Sequence, residues 1–373
     1  MSYRETVVGP GPKKLLALDG GGIRGVITLE VLSEIERMLR KELGHNDDFV
    51  LADYFDYIAG TSTGAIIAAG LALGWPVERL RALYATNGKD MFDKAFIVHR
   101  YRYKYDSSRL SAMLKREFGA TTLLGGAQLR TLLMMVLRNA TTDSPWPLSS
   151  NPRAKYNDPM RADNNLQLPL WQLVRASTAA PVYFPPEVVT VGPKDFIFVD
   201  GGLTVYNNPS FQLFLMATHG AYRLDWQVGE QNLLLVSIGT GSASAANAYL
   251  QPGDMNLVYN VSSIPGALMH AAATEQDLLC RIFGRCRYGA ALDRELGDMQ
   301  SGPGILDPRL FTYLRYDADV SREGLDALGL SDIRPEHVQR LDSVDYIGEL
   351  RRTGVKLAHQ VSRAHFAGFL HEA

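Results

Sequence analysis

Four times along this chain an apolar run stops on a cluster of glycines, and that recurrence constrains the fold more than any other feature. KLLAL (residues 14–18) leads to DGGGIRG, and Tyr54–Ala59 leads to GTSTG at 60–64. Phe196–Val199 ends at DGG, and Leu233–Ile238 ends at GTG. Short apolar runs closed by glycine are the pattern of buried strands. Segments of helical period lie between them. From Gly25 to Leu43 apolar side chains recur at Val26, Leu29, Leu32, Ile35, Leu39 and Leu43, with Gly44 placed as the C-cap. AIIAAGLAL continues as an apolar helix to Gly74, and another helix follows Pro76. Ser107 or Ser108 caps a helix over 109–118, and Leu170–Ser177 forms one more. Leu129–Leu137 adds a strand. Strands alternating with helices give an α/β fold with a mainly parallel sheet covered on both faces and right-handed crossovers.

Two regions break the alternation. Residues 140–168, rich in Pro, Asn, Asp and Ser, read as a long surface loop or insertion. After about residue 245 the chain becomes more charged, with segments such as SREGLDALGL, and is expected to form helices packed on or beside the main domain.

Composition removes several function classes. The 373 residues are 46% hydrophobic and 21% charged, ordinary for a globular protein with a large core. A formal net charge of −2 argues against a general nucleic-acid binder. No apolar run reaches the ~18–20 residues that span a bilayer. MSYRETVVGPGPKK lacks the apolar stretch of a secretory signal. Cys280 and Cys286 have no zinc-spaced partners and read as reduced, buried thiols of a cytoplasmic protein. No metal and no cofactor is expected.

GTSTG fits G-x-S-x-G, with Ser62 at its centre. A hydroxyl on a sharp strand-to-helix turn is exposed to an acyl carbon, and flanking glycines relieve the crowded backbone. The helix that follows points its positive end at the same place. The first cluster also spells G-x-G-x-x-G through Gly20, Gly22 and Gly25, which raises a dinucleotide site as the rival. That site wants an acidic residue at the end of the next strand, about 20 residues on. The next strand ends instead at GTSTG, and Asp47 and Asp48 lie in a loop before it. Gly20, Gly21 and Gly22 are therefore read as backbone donors of an oxyanion hole, with Arg24 as a nearby cation. Asp200, at the end of FIFVDGG, is the candidate base, since burial raises a carboxyl pKa toward a useful value. None of the eight histidines sits in a glycine-flanked loop at a strand end. His219 reads as a helix C-terminal residue and His365 as one face of a C-terminal helix.

With these residues assembled, the chain resembles the patatin-like phospholipases, a family of serine lipid acyl hydrolases. DGGGIRG at 19–25 is similar to the family's oxyanion-hole motif, GTSTG to its nucleophile elbow and DGG at 200–202 to its catalytic-aspartate motif. ASTAAPVYFPP at 176–186, NNPS at 207–210 and VSIGTG at 236–241 also match the pattern. The resemblance implies a three-layer α/β/α sandwich over 14–241, with 242–373 as a mostly helical region packed on it. It implies Ser62 as nucleophile, Asp200 as base, and an oxyanion hole of Gly20, Gly21, Gly22, Arg24 and Thr63. Gly25, Gly60, Gly64, Gly201 and Gly202 are the motif glycines. The implied substrate is a phospholipid or another acyl lipid, met at the inner face of a membrane by a peripheral cytoplasmic enzyme. Some bacterial members are effectors switched on by a cyclic nucleotide, so such an activator is a further implication. A nucleotide-binding oxidoreductase and a catalytically silent binding protein are the competing classes.

One stretch stands outside these motifs. In MFDKAFIVHRYRYKY (91–105), Arg100, Arg102 and Lys104 alternate with Tyr101, Tyr103 and Tyr105. As a strand it would show cations on one face and rings on the other. It reads either as an edge strand with a solvated charged face or as a contact for an anionic headgroup at a lipid surface.

Overall fold

The computed structural model describes residues 9–45, 47–92, 107–181, 184–242, 257–301 and 304–370. The basic-aromatic stretch from residue 93 onward lies outside the described residues. One nine-stranded sheet organises the molecule. Its strands are β1 (Lys13–Leu18), β2 (Tyr57–Thr61), β3 (Leu132–Asn139), β4 (Ser144–Ser149), β5 (Glu187–Val191), β6 (Lys194–Asp200), β7 (Leu233–Ile238), β8 (Arg285–Tyr288) and β9 (Thr312–Tyr316). The order is β5-β6-β3-β2-β1-β7-β9-β8, with β4 on the other edge of β3.

The six strands from β3 to β8 run parallel. Every residue of β1, β2, β7 and β9 is buried, as expected where helices cover both faces. The expected strand-to-helix alternation is present, including the helices Gly25–Glu42, Thr63–Ala72 and Leu170–Ser177. Gly44 (φ 69°) and Gly74 (φ 79°) stand just beyond helix ends in the left-handed region.

Two expectations need correction. Residues 140–168 are not simply a loop. They hold β4, which pairs antiparallel with β3 from Met134↔Ser149 to Asn139↔Ser144, and two short 3-10 turns. The region after 245 is not only helices. β8 and β9 extend the central sheet, with β9 parallel to β7 in the register Leu234↔Thr312 to Ile238↔Tyr316. Ile347–Ala358 lies against Gly25–Glu42, where Gly354 lets the helices approach so closely that a Cβ would press on Ile27 and Glu30.

The pairing of β3 sets up the functional edge. Residues 132–136 pair with β2, and residues 137–139 pair antiparallel with β6. Residues 137–139 also pair with β4, so β4 occupies the other edge and β6 continues the β2 edge. Thr61 faces Val136 and Asp200 faces the next residue, Leu137. The carboxyl ends of β2 and β6 therefore meet head-on.

Candidate active site

Ser62 is the residue between β2 and the helix Thr63–Ala72, and its backbone is held at φ 54°, ψ −121°. A non-glycine residue there is strained, and such strain persists only when the surroundings fix it. The fixing contacts are visible. The Ser62 N–H donates to Ser177 Oγ at 3.0 Å, and the Ser177 hydroxyl donates to the Val136 carbonyl at 2.7 Å. Behind the turn, Gly60 and Gly64 are in close contact, and a Cβ on Gly64 would strike the Leu18 carbonyl. A side chain at either position would push the elbow out of shape.

Asp200 arrives from the opposite direction. Ser62 Oγ donates to Asp200 Oδ2 at 2.6 Å, although 138 positions separate them. Asp200 Oδ1 accepts the Gly202 N–H at 2.7 Å. The Asp200 N–H donates to the Ala179 carbonyl at 3.0 Å, so the segment carrying Ser177 holds both partners. Gly201 is pressed onto the Val136 carbonyl with no room for a Cβ. Asp200 is 5% exposed. Burial pushes its carboxyl up to about 6, against the opposing pull of the Ser62 and Gly202 donors.

The glycine cluster lies on the serine. A Cβ on Gly20 would stand 3.4 Å from Ser62 Cβ. The Gly20 N–H is already donated to the Asn207 carbonyl at 3.0 Å, so Gly20 shapes the loop and is not itself a free donor. The amides of Gly21 and Gly22 have no acceptor among the described residues, nor does that of Thr63 at the helix start. Gly22 has φ 60°, and a Cβ there would collide with the Leu341 carbonyl. Gly25 opens its helix against the Thr63 side chain.

Arg24 is bonded within the loop region. Its guanidinium donates to the Gly241 carbonyl at 2.9 Å and to the Gly21 carbonyl at 3.4 Å. It braces the loop and does not present a bare cation. Thr240 Oγ1 completes the brace by donating to the Gly20 carbonyl at 3.0 Å.

Among the described residues no histidine bonds to Ser62 or Asp200, and His99 and His371 lie outside them. His219, at the end of the helix Ser210–Thr218, accepts the Ala221 N–H. His365 sits in a 3-10 turn, not a longer helix, and pairs with the Tyr316 hydroxyl at 2.7 Å. Both cysteines are buried, unlinked and pushed up by burial, Cys286 to about 12. No group of metal-binding side chains occurs among the described residues. None of their helices is long and apolar enough to cross a membrane. A cavity of about 680 Å³ under β4, walled by Trp146, Tyr156, Phe196 and Tyr222, contains neither Ser62 nor Asp200.

Ser177, Ala179, Asn207 and Thr240 were not assigned roles from sequence. Each lies within a segment matching the resemblance, ASTAAPVYFPP, NNPS or VSIGTG, and those segments were the available signal.

Residues 16–214 match the family model described as patatin-like phospholipase. A relative from Escherichia coli named cGAMP-activated phospholipase is 33% identical over 236 residues, covering 61% of this chain and 62% of that protein. One of the same name from Vibrio cholerae is 34% identical, covering 53% and 56%. Patatin group J-1 of Solanum tuberosum is 28% identical, covering 62% and 61%. The chain thus spans about three fifths of the length of these curated relatives.

Proposed function

The chain belongs to the patatin-like phospholipase family, and from that premise we propose that it is a lipid acyl hydrolase working through a Ser62–Asp200 dyad. The observation that carries this reading is the 2.6 Å hydrogen bond from Ser62 Oγ to a buried carboxylate. Asp200 Oδ2 takes the hydroxyl proton as Ser62 Oγ attacks the ester carbonyl carbon. A carboxyl lifted to about 6 is ionised at neutral pH and still a stronger base than a free aspartate. The oxyanion is met by the amides of Gly21, Gly22 and Thr63 at the start of a helix. Collapse expels the alcohol, which receives the proton from Asp200 and leaves Ser62 acylated. Water then gives its proton to Asp200, attacks the acyl carbon and releases the fatty acid while Ser62 recovers its hydrogen.

An apolar substrate suits the exposed chain that follows the dyad aspartate. Leu203 and Val205, just after Asp200-Gly201-Gly202, are 42% and 55% exposed. They favour an acyl chain drawn from a membrane surface, with a phospholipid as substrate. Two relatives are named as cGAMP-activated phospholipases, which favours a second element, activation by cGAMP.

One assay tests both. Phospholipid vesicles are incubated with the protein and with Ser62→Ala, each with and without cGAMP, and released fatty acid is measured. Release by the parent, absent in Ser62→Ala, is expected, together with a fluorophosphonate label confined to Ser62. Equal release by the two proteins would reject the dyad. A parent rate that ignores cGAMP would reject the activator alone.

A further inference from the structure

The loop that lies on Ser62 is nearly all glycine and cannot hold a shape by itself. Its geometry comes from tethers, and the most heavily bonded of these reach it from residues beyond 300. Asp19 opens the loop and is 4% exposed. Arg315, on β9, donates to Asp19 Oδ1 at 2.9 Å and to Asp19 Oδ2 at 2.6 Å, a bidentate pair. The same guanidinium donates to Ser237 Oγ at 2.8 Å on β7 and to Asp317 Oδ2 at 2.9 Å. Asp317 Oδ1 in turn accepts the Gly241 N–H at 2.9 Å. Gly241 and Thr240 are the residues that hold Arg24 and the Gly20 carbonyl. Further along the chain, the Leu341 carbonyl accepts the Ile23 N–H at 3.0 Å.

Resting on the acyl-hydrolase reading above, we propose that Arg315 is a positioning residue for the oxyanion loop. It fixes Asp19 directly and, through Asp317 and Gly241, the brace on Gly20 and Gly21. It touches neither Ser62 nor Asp200, so it acts only by aiming the Gly21 and Gly22 amides. A donor displaced by a fraction of an ångström still binds lipid but no longer meets the charge that develops in the transition state. The residue lies outside the segment 16–214 that defines the family match. The C-terminal region is therefore part of the catalytic apparatus, not a separate unit resting on it.

The test uses the full chain carrying Arg315→Lys, which keeps the charge and loses the fork, and Asp317→Asn, which cuts only the outer arm. Active serines are counted by stoichiometric fluorophosphonate labelling, and kcat is expressed per labelled serine. For Arg315→Lys we expect kcat to fall 10- to 100-fold, KM to stay within about threefold, and the acidic limb of the pH profile, set by Asp200, to stay in place. Asp317→Asn should give the same signature at 3- to 10-fold. A merely structural role would lower the number of labelled serines and leave kcat per serine unchanged, which would overturn the proposal. If Arg315→Lys fails to fold, an unchanged kcat per serine in Asp317→Asn overturns it equally. A parent that neither hydrolyses lipid nor takes the label sinks the acyl-hydrolase reading instead.

Discussion

Asp200 bonds to Ser62 directly and Asp19 opens the glycine loop that lies on Ser62, and burial pushes both carboxyls up to about 6. Their partners differ. Asp200 is hydrogen-bonded by a hydroxyl and an amide, both neutral, and the charge of Arg175 is the smallest of the pulls on it. Asp19 is met by a guanidinium that burial does not neutralise, since the surrounding carboxylates hold Arg315 well above its usual range. Proton transfer to Asp200 removes a buried charge. Proton transfer to Asp19 would take away one of the two carboxylates that balance Arg315. Equal burial thus gives one carboxylate suited to exchanging a proton and another suited to holding a loop.

The same isosteric substitution at the two positions breaks or confirms this contrast. Asp200→Asn should lower kcat about 10²–10⁴-fold, the range of a lost general base, while leaving the fold intact. Asp19→Asn should destabilise the protein by about 1–3 kcal/mol, because it removes the bidentate one of the two carboxylates that pair with a buried arginine. Urea denaturation at pH 8 and lipid hydrolysis, measured on both variants, provide the check. Asp200→Asn as the more destabilised variant, with hydrolysis retained, would reverse the assignment of the two carboxylates.

A pH series sharpens it. The kcat profile should rise with an apparent pKa near 6 as Asp200 ionises. Stability should move the other way. A carboxyl whose folded pKa lies above its unfolded value contributes stability that is fully present below about 4 and is lost as pH rises through about 6. Asp200→Asn should therefore gain on the parent as pH rises, reaching about 2–3 kcal/mol at pH 8 and little at pH 4. A stability difference that does not change between those pH values would show that the carboxyl is not held in a disfavoured charged state.

How much of this was legible in the sequence depended on whether the signal was local. The motif glycines and the strand-turn-helix around Ser62 could be read because apolar period and glycine placement are properties of neighbours. β4 escaped notice because Pro145 and Pro147 make SPWPLS look like a loop. Its place at the far edge of β3 is where a proline-bearing strand can survive. β9 was hidden by Arg315. TYLRY is wholly buried with a charge in it, and the carboxylates that make this tolerable come from residues 19 and 317. The end-on meeting of β2 and β6 depends on which edge of β3 each strand takes, and no local pattern records that choice.

The link from the segment of Ser177 to the serine turn gives the smallest expected effect. Ser177 Oγ is a single atom that accepts the Ser62 amide and donates to Val136, on the strand where β2 and β6 meet. Ser177→Ala leaves a buried N–H and a buried carbonyl without that partner, at a cost of about 1–3 kcal/mol. It also frees Ser62 to relax from φ 54° toward an ordinary turn, which carries Oγ away from Asp200 Oδ2. A loss of about tenfold in kcat is expected, with KM little changed, because the lost geometry belongs to the attacking atom. Ser177→Thr, which keeps the hydroxyl, should recover part of that loss if the added methyl is accommodated. Kinetics per labelled serine decide the matter. If Ser177→Ala loses stability yet keeps its full kcat, the elbow is held by its glycines alone, and the link between Ser62 and the segment that also holds Asp200 is only a packing contact.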